Sequence, residues 1–256
     1  MASRRNRTGN MGKKTRIAQL KELHCACVIH GDKYSWTYVD RLYNMIARNS
    51  SMPVVMHVFT ESKRSVPGKY IKHCLEEWPG VSGPRKSWWY KMQMFNPTHF
   101  RGSLLYFDLD VVIIDNIDWM WQQDTDKFWT VHDFRRLWRP TWAGLNSSVM
   151  FWNTEHYAWV WEKFNENHVG INVHRYHGDQ DFLTAVLEKQ HLRFFDTKKI
   201  RSWRWEIKDG GYDMKSRTYQ SPNAGSLLQP ETVVMIFHGS PKPHEIDDPV
   251  LTTHWV

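Results

Sequence analysis

The stretch SLLYFDLDVVIID, residues 103–115, decides how the chain is read: two carboxylates, Asp108 and Asp110, stand inside an apolar run with Leu109 between them. A buried strand rarely carries such a pair without a reason, because charge taken out of water is costly unless it is paired. Side chains alternate along a regular strand, so this spacing predicts both carboxylates on one side and Leu109 on the other. Two facing anions repel unless a cation joins them, and hard oxygen ligands suit Mn²⁺ or Mg²⁺. In open α/β sheets the ligand crevice lies beyond the carboxyl ends of the strands, which is where the run SLLYF would deliver such an ion.

Working outward, HCACVIHGD (residues 24–32) reads as a strand ending in a Gly-Asp turn, and SWTYVDRLYNMIARN (35–49) follows with apolar residues at helical spacing. MPVVMHVFTES is a second strand, YIKHCLEEW a second helix, PGVSGP a loop and KSWWYKMQMFNP a third helix stopped by Pro97. Downstream, KFWTVHDF and SSVMFWN read as strands, HYAWVWEKFNEN and DQDFLTAVLEKQ as helices, and TVVMIFHGSPKP as a last strand running into a loop. This alternation predicts an α/β fold, a single domain with a mixed, mostly parallel central sheet of Rossmann-like character. The 256 residues, 41% of them hydrophobic, suffice for one such unit.

No run approaches the ~18–20 apolar residues that cross a bilayer, and the N-terminus lacks the apolar middle of a secretory signal, so a soluble, cytoplasmic protein is expected. Cys25, Cys27 and Cys74 have no framework spacing and read as reduced thiols, the first two on one face of a strand. The net charge of +7 and pI near 9.2 favour an anionic partner without choosing among nucleotide, nucleic acid and membrane surface. Much of the excess is local: residues 1–21 carry seven cations (Arg4, Arg5, Arg7, Lys13, Lys14, Arg16 and Lys21) and no acidic residue, which reads as a flexible basic arm. The 15 tryptophans suit core packing, with sugar or base stacking as the alternative.

Two further motifs carry chemistry. In HGSPKP (238–243), directly after an apolar strand, His238 could give a metal a neutral imidazole, and Lys242 in its Pro-Lys-Pro frame could meet a phosphate as a point charge. In HGDQDFLT, the residues Asp179, Gln180 and Asp181 open an amphipathic helix; acidic residues there favour the helix dipole, which accounts for one of the two aspartates. Asp32 after the first strand could accept the N3–H of uracil, and Tyr34 could stack on the base, although a Gly-Asp turn without a ligand fits as well.

The order of these motifs resembles the GT-A glycosyltransferases, most closely the retaining family that includes glycogenin and the bacterial lipooligosaccharide galactosyltransferases. The resemblance covers residues 24–246 and implies a GT-A domain over 22–256, with a nucleotide-binding half (22–118) and an acceptor-facing half (119–256). It implies Mn²⁺ held by Asp108, Asp110 and His238, and a UDP-sugar donor touched by Asp108 and Leu109 and, at its diphosphate, by Lys242. Asp179, Gln180 and Asp181 would line the donor sugar, with Lys91 of WWYKMQMF reaching toward it and Asn146 of NSSVMFWN in the place of the family's Asn-Ala-Gly asparagine. The chain departs from the pattern in placing Lys242 four residues after His238 instead of six, in His244 where a Trp is usual, and in Ser147-Ser148 for Ala-Gly.

The expected activity is therefore transfer of a hexose, glucose first, from UDP to an acceptor, with retention implied by the resemblance. Saccharide or protein is the favoured acceptor, and modified nucleic acid the other that the basic arm would serve. Two further readings compete. A metal-dependent nuclease or phosphatase would also use paired aspartates, His and Lys, but needs more carboxylates for a second metal. A non-enzymatic nucleic-acid-binding module would use the arm and the aromatics, and explains neither Asp108 and Asp110 nor HGSPKP.

Overall fold

Strand β1 (Leu23–Ile29), helix α1 (Trp36–Arg48) and strand β2 (Val54–Glu61) open the computed structural model, which describes residues 21–81 and 86–256. The basic arm expected over residues 1–21 lies outside the described residues except for Lys21. In β1, Cys25, Cys27 and Ile29 enter one core layer with Val39, Leu42, Met45 and Ile46 of α1, while Ala26 enters the layer on the opposite face of the sheet. The helix ends at Asn49, whose backbone N–H and side-chain amide both bond the Met45 carbonyl. Burial pushes both β1 thiols far above the ordinary cysteine range, so they are packing groups.

Two expectations fail here. YIKHCLEEW is not a helix: Ile71–Leu75 is strand β3, paired parallel to β2 from His57↔Ile71 to Glu61↔Leu75. Its helix-like spacing arises because the buried Tyr70, Leu75 and Trp78 lie in and on either side of an edge strand, and pairing of β2's open edge outweighs a short helical segment. KSWWYKMQMFNP is a 3₁₀ helix, Ser87–Phe95, and not an α-helix. Every residue from Trp89 to Phe95 is buried, so no polar face exists to mark a helical period.

The stretch 103–115 forms two strands in different sheets, β4 (Ser103–Phe107) and β5 (Val111–Ile113), and not the single regular strand expected. The chain turns between them, with the Val111 N–H donating to the Asp108 carbonyl at 3.2 Å. Helix α2 (Asp118–Trp121), strand β6 (Phe128–His132) and strand β7 (Leu145–Asn153) follow, then helices α3 (Ala158–Glu166), α4 (His168–Arg175) and α5 (Asp179–Val186). Strands β8 (Leu192–Phe194) and β9 (Ile200–Ser202), a small hairpin of β10 (Tyr212–Asp213) and β11 (Thr218–Tyr219), strand β12 (Val234–Ile236) and helix α6 (Pro249–His254) complete the chain.

The central sheet has the order β3-β2-β1-β4-β7-β6-β8; β7 alone among these seven is antiparallel to its neighbours. The β6–β7 register shifts between Thr130 and Val131, which pair with Met150 and Asn146, so Ser147–Val149 bulge from the ladder. The Thr130 hydroxyl spans the gap by donating to the carbonyls of Asn146 (2.8 Å) and Val149 (3.2 Å). A second sheet, β5-β12-β9, packs into the α1 layer. Because β7 is reversed, its first residues lie beside the last residues of β4, and the Asp108 N–H donates to the Ser148 carbonyl at 2.8 Å.

On the β1-β2-β3 end, three imidazoles form a relay: His24 Nδ1 lies 3.0 Å from His57 Nε2, and His57 Nδ1 lies 2.8 Å from His73 Nε2. Burial first, then the neighbouring rings, push His57 down to about 3 and His73 down to about 4. Both stay neutral when folded yet would bind protons below 6.5 when unfolded, so their stabilisation is present above pH 6.5 and lost as the pH falls toward 4. Thermal unfolding followed across that window should show a falling midpoint, and His57→Phe should flatten the fall.

Candidate active site

A cleft of about 940 Å³ opens beyond the carboxyl ends of β1 and β4, and Asp108, Leu109, Asp110, Asn146, Asp179, Gln180, Asp181, Lys91, Tyr34, His238 and Lys242 all line it. Eleven of the twelve candidate site residues thus meet in one cavity, with Ser147 beside them in its wall; Asp32 is exposed and stands outside the lining. Six elements deliver these groups: the β1–α1 loop, the 3₁₀ helix Ser87–Phe95, the β4–β5 turn, the bulged start of β7, the N-terminus of α5 and the loop after β12. The Phe237 N–H donates to the Asp110 carbonyl at 3.3 Å and ties that loop to the turn. Gly178 lets α5 begin against the cleft wall, since a Cβ there would stand 2.9 Å from Trp88 Nε1.

Lys91 is the electrostatic centre. Its ammonium lies 2.8 Å from Asp108 Oδ1, 3.6 Å from Asp179 Oδ2 and 3.4 Å from the Ser147 hydroxyl, which itself donates to Asp179 Oδ2 at 2.6 Å. Burial alone would raise the Asp108 carboxyl, but Lys91 and the Tyr106 hydroxyl, at 2.5 Å, outweigh it and hold Asp108 below the ordinary range. Asp179 has the longer ion pair, and there burial wins and raises its carboxyl. One ammonium is thus shared unequally between two carboxylates.

Asp110 has its own partners, the Tyr34 hydroxyl at 2.8 Å and the Lys242 ammonium in direct contact. His238 stacks between Phe134 and Trp205, with ring centroids 5.2 and 5.8 Å away, and its Nε2 lies 2.6 Å from the Ser202 hydroxyl. Burial, then Arg204 and Lys242, push this imidazole down to about 4, so it is neutral at neutral pH. The donor set of two carboxylates and a neutral imidazole suits a hard divalent ion. Among the described residues no three His, Cys, Asp or Glu side chains converge into a metal cage, and Asp108, Asp110 and His238 line one cleft without being gathered around one point.

Several contributors escape sequence reading. Asp133, directly after β6, is buried and accepts from Arg135 Nε (2.8 Å), Trp142 Nε1 (3.0 Å) and Gln180 Nε2 (3.0 Å), so it orients the Gln180 amide. A carboxylate ending an apolar strand was the signal available in TVHDF, the same one that marks Asp108. Lys33, Arg135 and Trp88 also line the cleft, and Trp88 Nε1 is buried with no hydrogen-bond partner among the described residues. Counted formally, Lys33, Lys91, Arg135 and Lys242 balance Asp108, Asp110, Asp179 and Asp181.

No protein-family model matches the chain, and no curated protein matches it in sequence. Solved structures do match its shape. The galactosyltransferase LgtC, solved with donor and acceptor sugar analogues, superposes with a TM-score of 0.60 at 12% identity, over 86% of this chain and 89% of LgtC. The fold is that of the GT-A glycosyltransferases. The glycosyltransferase GlyE of Streptococcus pneumoniae TIGR4 gives a TM-score of 0.56 at 12% identity, and the bifunctional glycosyltransferase WbbM 0.54 at 11%. The chain spans about half the length of these two, 56% of GlyE and 47% of WbbM, against 86% and 87% of itself. No helix among the described residues is long and apolar enough to cross a membrane.

Removing the Lys91 charge strands two carboxylates in a buried setting. Lys91→Met should destabilise the fold by about 3–5 kcal/mol, the range for breaking a buried pair from one side. Adding Asp179→Asn to Lys91→Met should recover part of that loss, as denaturant unfolding of the single and double variants would measure.

Proposed function

We propose that the chain is a metal-dependent glycosyltransferase that transfers a hexose, glucose first, from a UDP-sugar to a saccharide or protein acceptor with retention of configuration. The observation that carries this reading is the charge pattern of one cleft in a GT-A fold: Asp108 and Asp110, each matched to a lysine, stand with His238 and the Asp179–Gln180 pair. The lining is formally balanced, so a multiply charged diphosphate would be under-neutralised unless a cation came with it. Asp108, Asp110 and neutral His238 would hold Mn²⁺ or Mg²⁺, which would supply Lewis-acid neutralisation of the leaving diphosphate.

The chain's own groups do the rest. Lys242 meets the diphosphate as a second, fixed charge that needs no proton transfer, leaving Asp110 as it does so. Lys91, Asn146 and Asp179 surround the donor sugar, and Gln180 presents an amide held in place by Asp133. Trp88 Nε1 is a spare donor for a sugar hydroxyl. Recognition of the base falls to the segment that includes Val28, His30 and Tyr34, with Tyr34 as the stacking face. Retention rests on the family resemblance. A nuclease or phosphatase is less well supported, because the extra carboxylates near the cleft, Asp179 and Asp181, are turned to Lys91 and Arg135.

Asp110→Asn keeps the shape and removes a charge, so Mn²⁺-dependent nucleotide release from UDP-glucose should fall by about a hundredfold or more in a chain that still folds. Full release by the variant, or equal release by the wild type in chelator, would remove the metal from the reading. Calorimetry in Mn²⁺ should rank UDP above GDP and CDP, and the reverse order would exclude a uridine donor.

A further inference from the structure

We propose that a second cleft, of about 490 Å³, is a subsite for one hexose ring of a saccharide acceptor, a role that rests on reading the first cleft as the donor site. Trp138, Trp205 and Tyr212 line it and are each half-buried, leaving ring surface open to a ligand. Trp205 is the hub, with Trp138 and Tyr212 each set against it edge to face at centroid distances of 5.3 Å. The exposed ring surface of Trp138 and Tyr212 suits the apolar C–H face of a sugar ring, Trp205 itself being flanked by His238 and the Arg204 guanidinium. The Glu206 carboxylate, 10% exposed, is held at the cleft by Arg201 (3.4 Å) and Arg136 (3.7 Å), and gives hydroxyl groups an acceptor beside a guanidinium donor. Aromatic walls with a few fixed polar groups are the usual makeup of a small-molecule site.

Its position ties it to the first cleft. Trp205 stacks on His238, which lines the first cleft, and so forms a shared wall. The 3₁₀ helix Phe134–Leu137 spans both, with Arg135 in the first cleft and Leu137, followed by Trp138, in the second. The charge lining the second cleft is balanced, Arg201 and Lys215 against Glu206 and Asp213, so it does not select a phosphate backbone. An uncharged ring bearing hydroxyls fits where a nucleic acid does not.

Saturation-transfer NMR with the methyl α- and β-glycosides of glucose, galactose and mannose tests the subsite, with UDP calorimetry on the same samples. At least one hexoside should receive saturation from the full chain, should keep it in saturating UDP, and should bind about tenfold more weakly to Trp138→Ala and to Tyr212→Ala. UDP affinity should stay unchanged in both variants. No saturation of any hexoside, equal binding by the variants, or displacement by UDP alone would overturn the subsite. Loss of UDP binding by the wild-type chain would instead remove the donor reading of the first cleft, and hexoside binding would then stand without its acceptor role.

Discussion

The arrangement turns on one buried ammonium. Lys91 sits on a 3₁₀ helix whose residues from Trp89 to Phe95 are all buried, so its backbone is held by packing on every side before its charge is considered. From there it reaches Asp108 at the end of β4 and Asp179 at the start of α5, elements 71 residues apart in sequence. Without it the β4–β5 turn and the α5 N-terminus would bring two carboxylates together in a dry setting, at a cost that neither helix dipole nor hydroxyl partners offset. The unequal sharing holds the Asp108 carboxyl below its ordinary range and leaves burial to raise that of Asp179, so two carboxylates of one cleft differ in character without differing in kind.

How much of this is legible in the amino-acid sequence depends on how local each cause is. The β1-α1-β2 opening is legible because its apolar spacing is the imprint of its own packing, and Asp108, Asp110, His238 and Lys242 stand out because charge beside an apolar strand is rare. The fold class follows from the same periodicity. β3 is not legible, since what makes Ile71–Leu75 a strand is the open edge of β2, supplied by another part of the chain. The 3₁₀ helix is hidden because burial on all sides leaves no period to read. Asp133 is missed because Gln180, which makes it part of the site, lies 47 residues away. The second cleft gathers residues from 137–138 and 201–220, a stretch with no strong periodicity.

The two sheets divide the work. The seven-stranded sheet carries Lys91's partner Asp108 and the β7 residues, while the three-stranded sheet carries Asp110's loop neighbours, with β12 pairing both β5 and β9. The turn from Asp108 to Val111 is the seam where one sheet passes to the other, which is why two residues so close in sequence have separate cationic partners. Ser202 ends β9 of the second sheet, and His238 follows its paired strand β12 by two residues. The cleft is therefore a junction between sheets, with each wall anchored in its own core layer.

The bulge in β7 has a consequence for what the cleft can present. A pleated strand shows a cavity every other residue, yet Asn146, Ser147 and Ser148 all line this one. The break in the β6–β7 ladder suspends the pleat for that length, and three neighbouring polar residues face one space. The backbone carbonyls that lose their ladder partners there are served by the Thr130 hydroxyl, in the sheet's interior. A buried threonine outside the cleft lining thus sets how densely the strand can furnish its open end with hydrogen-bonding groups.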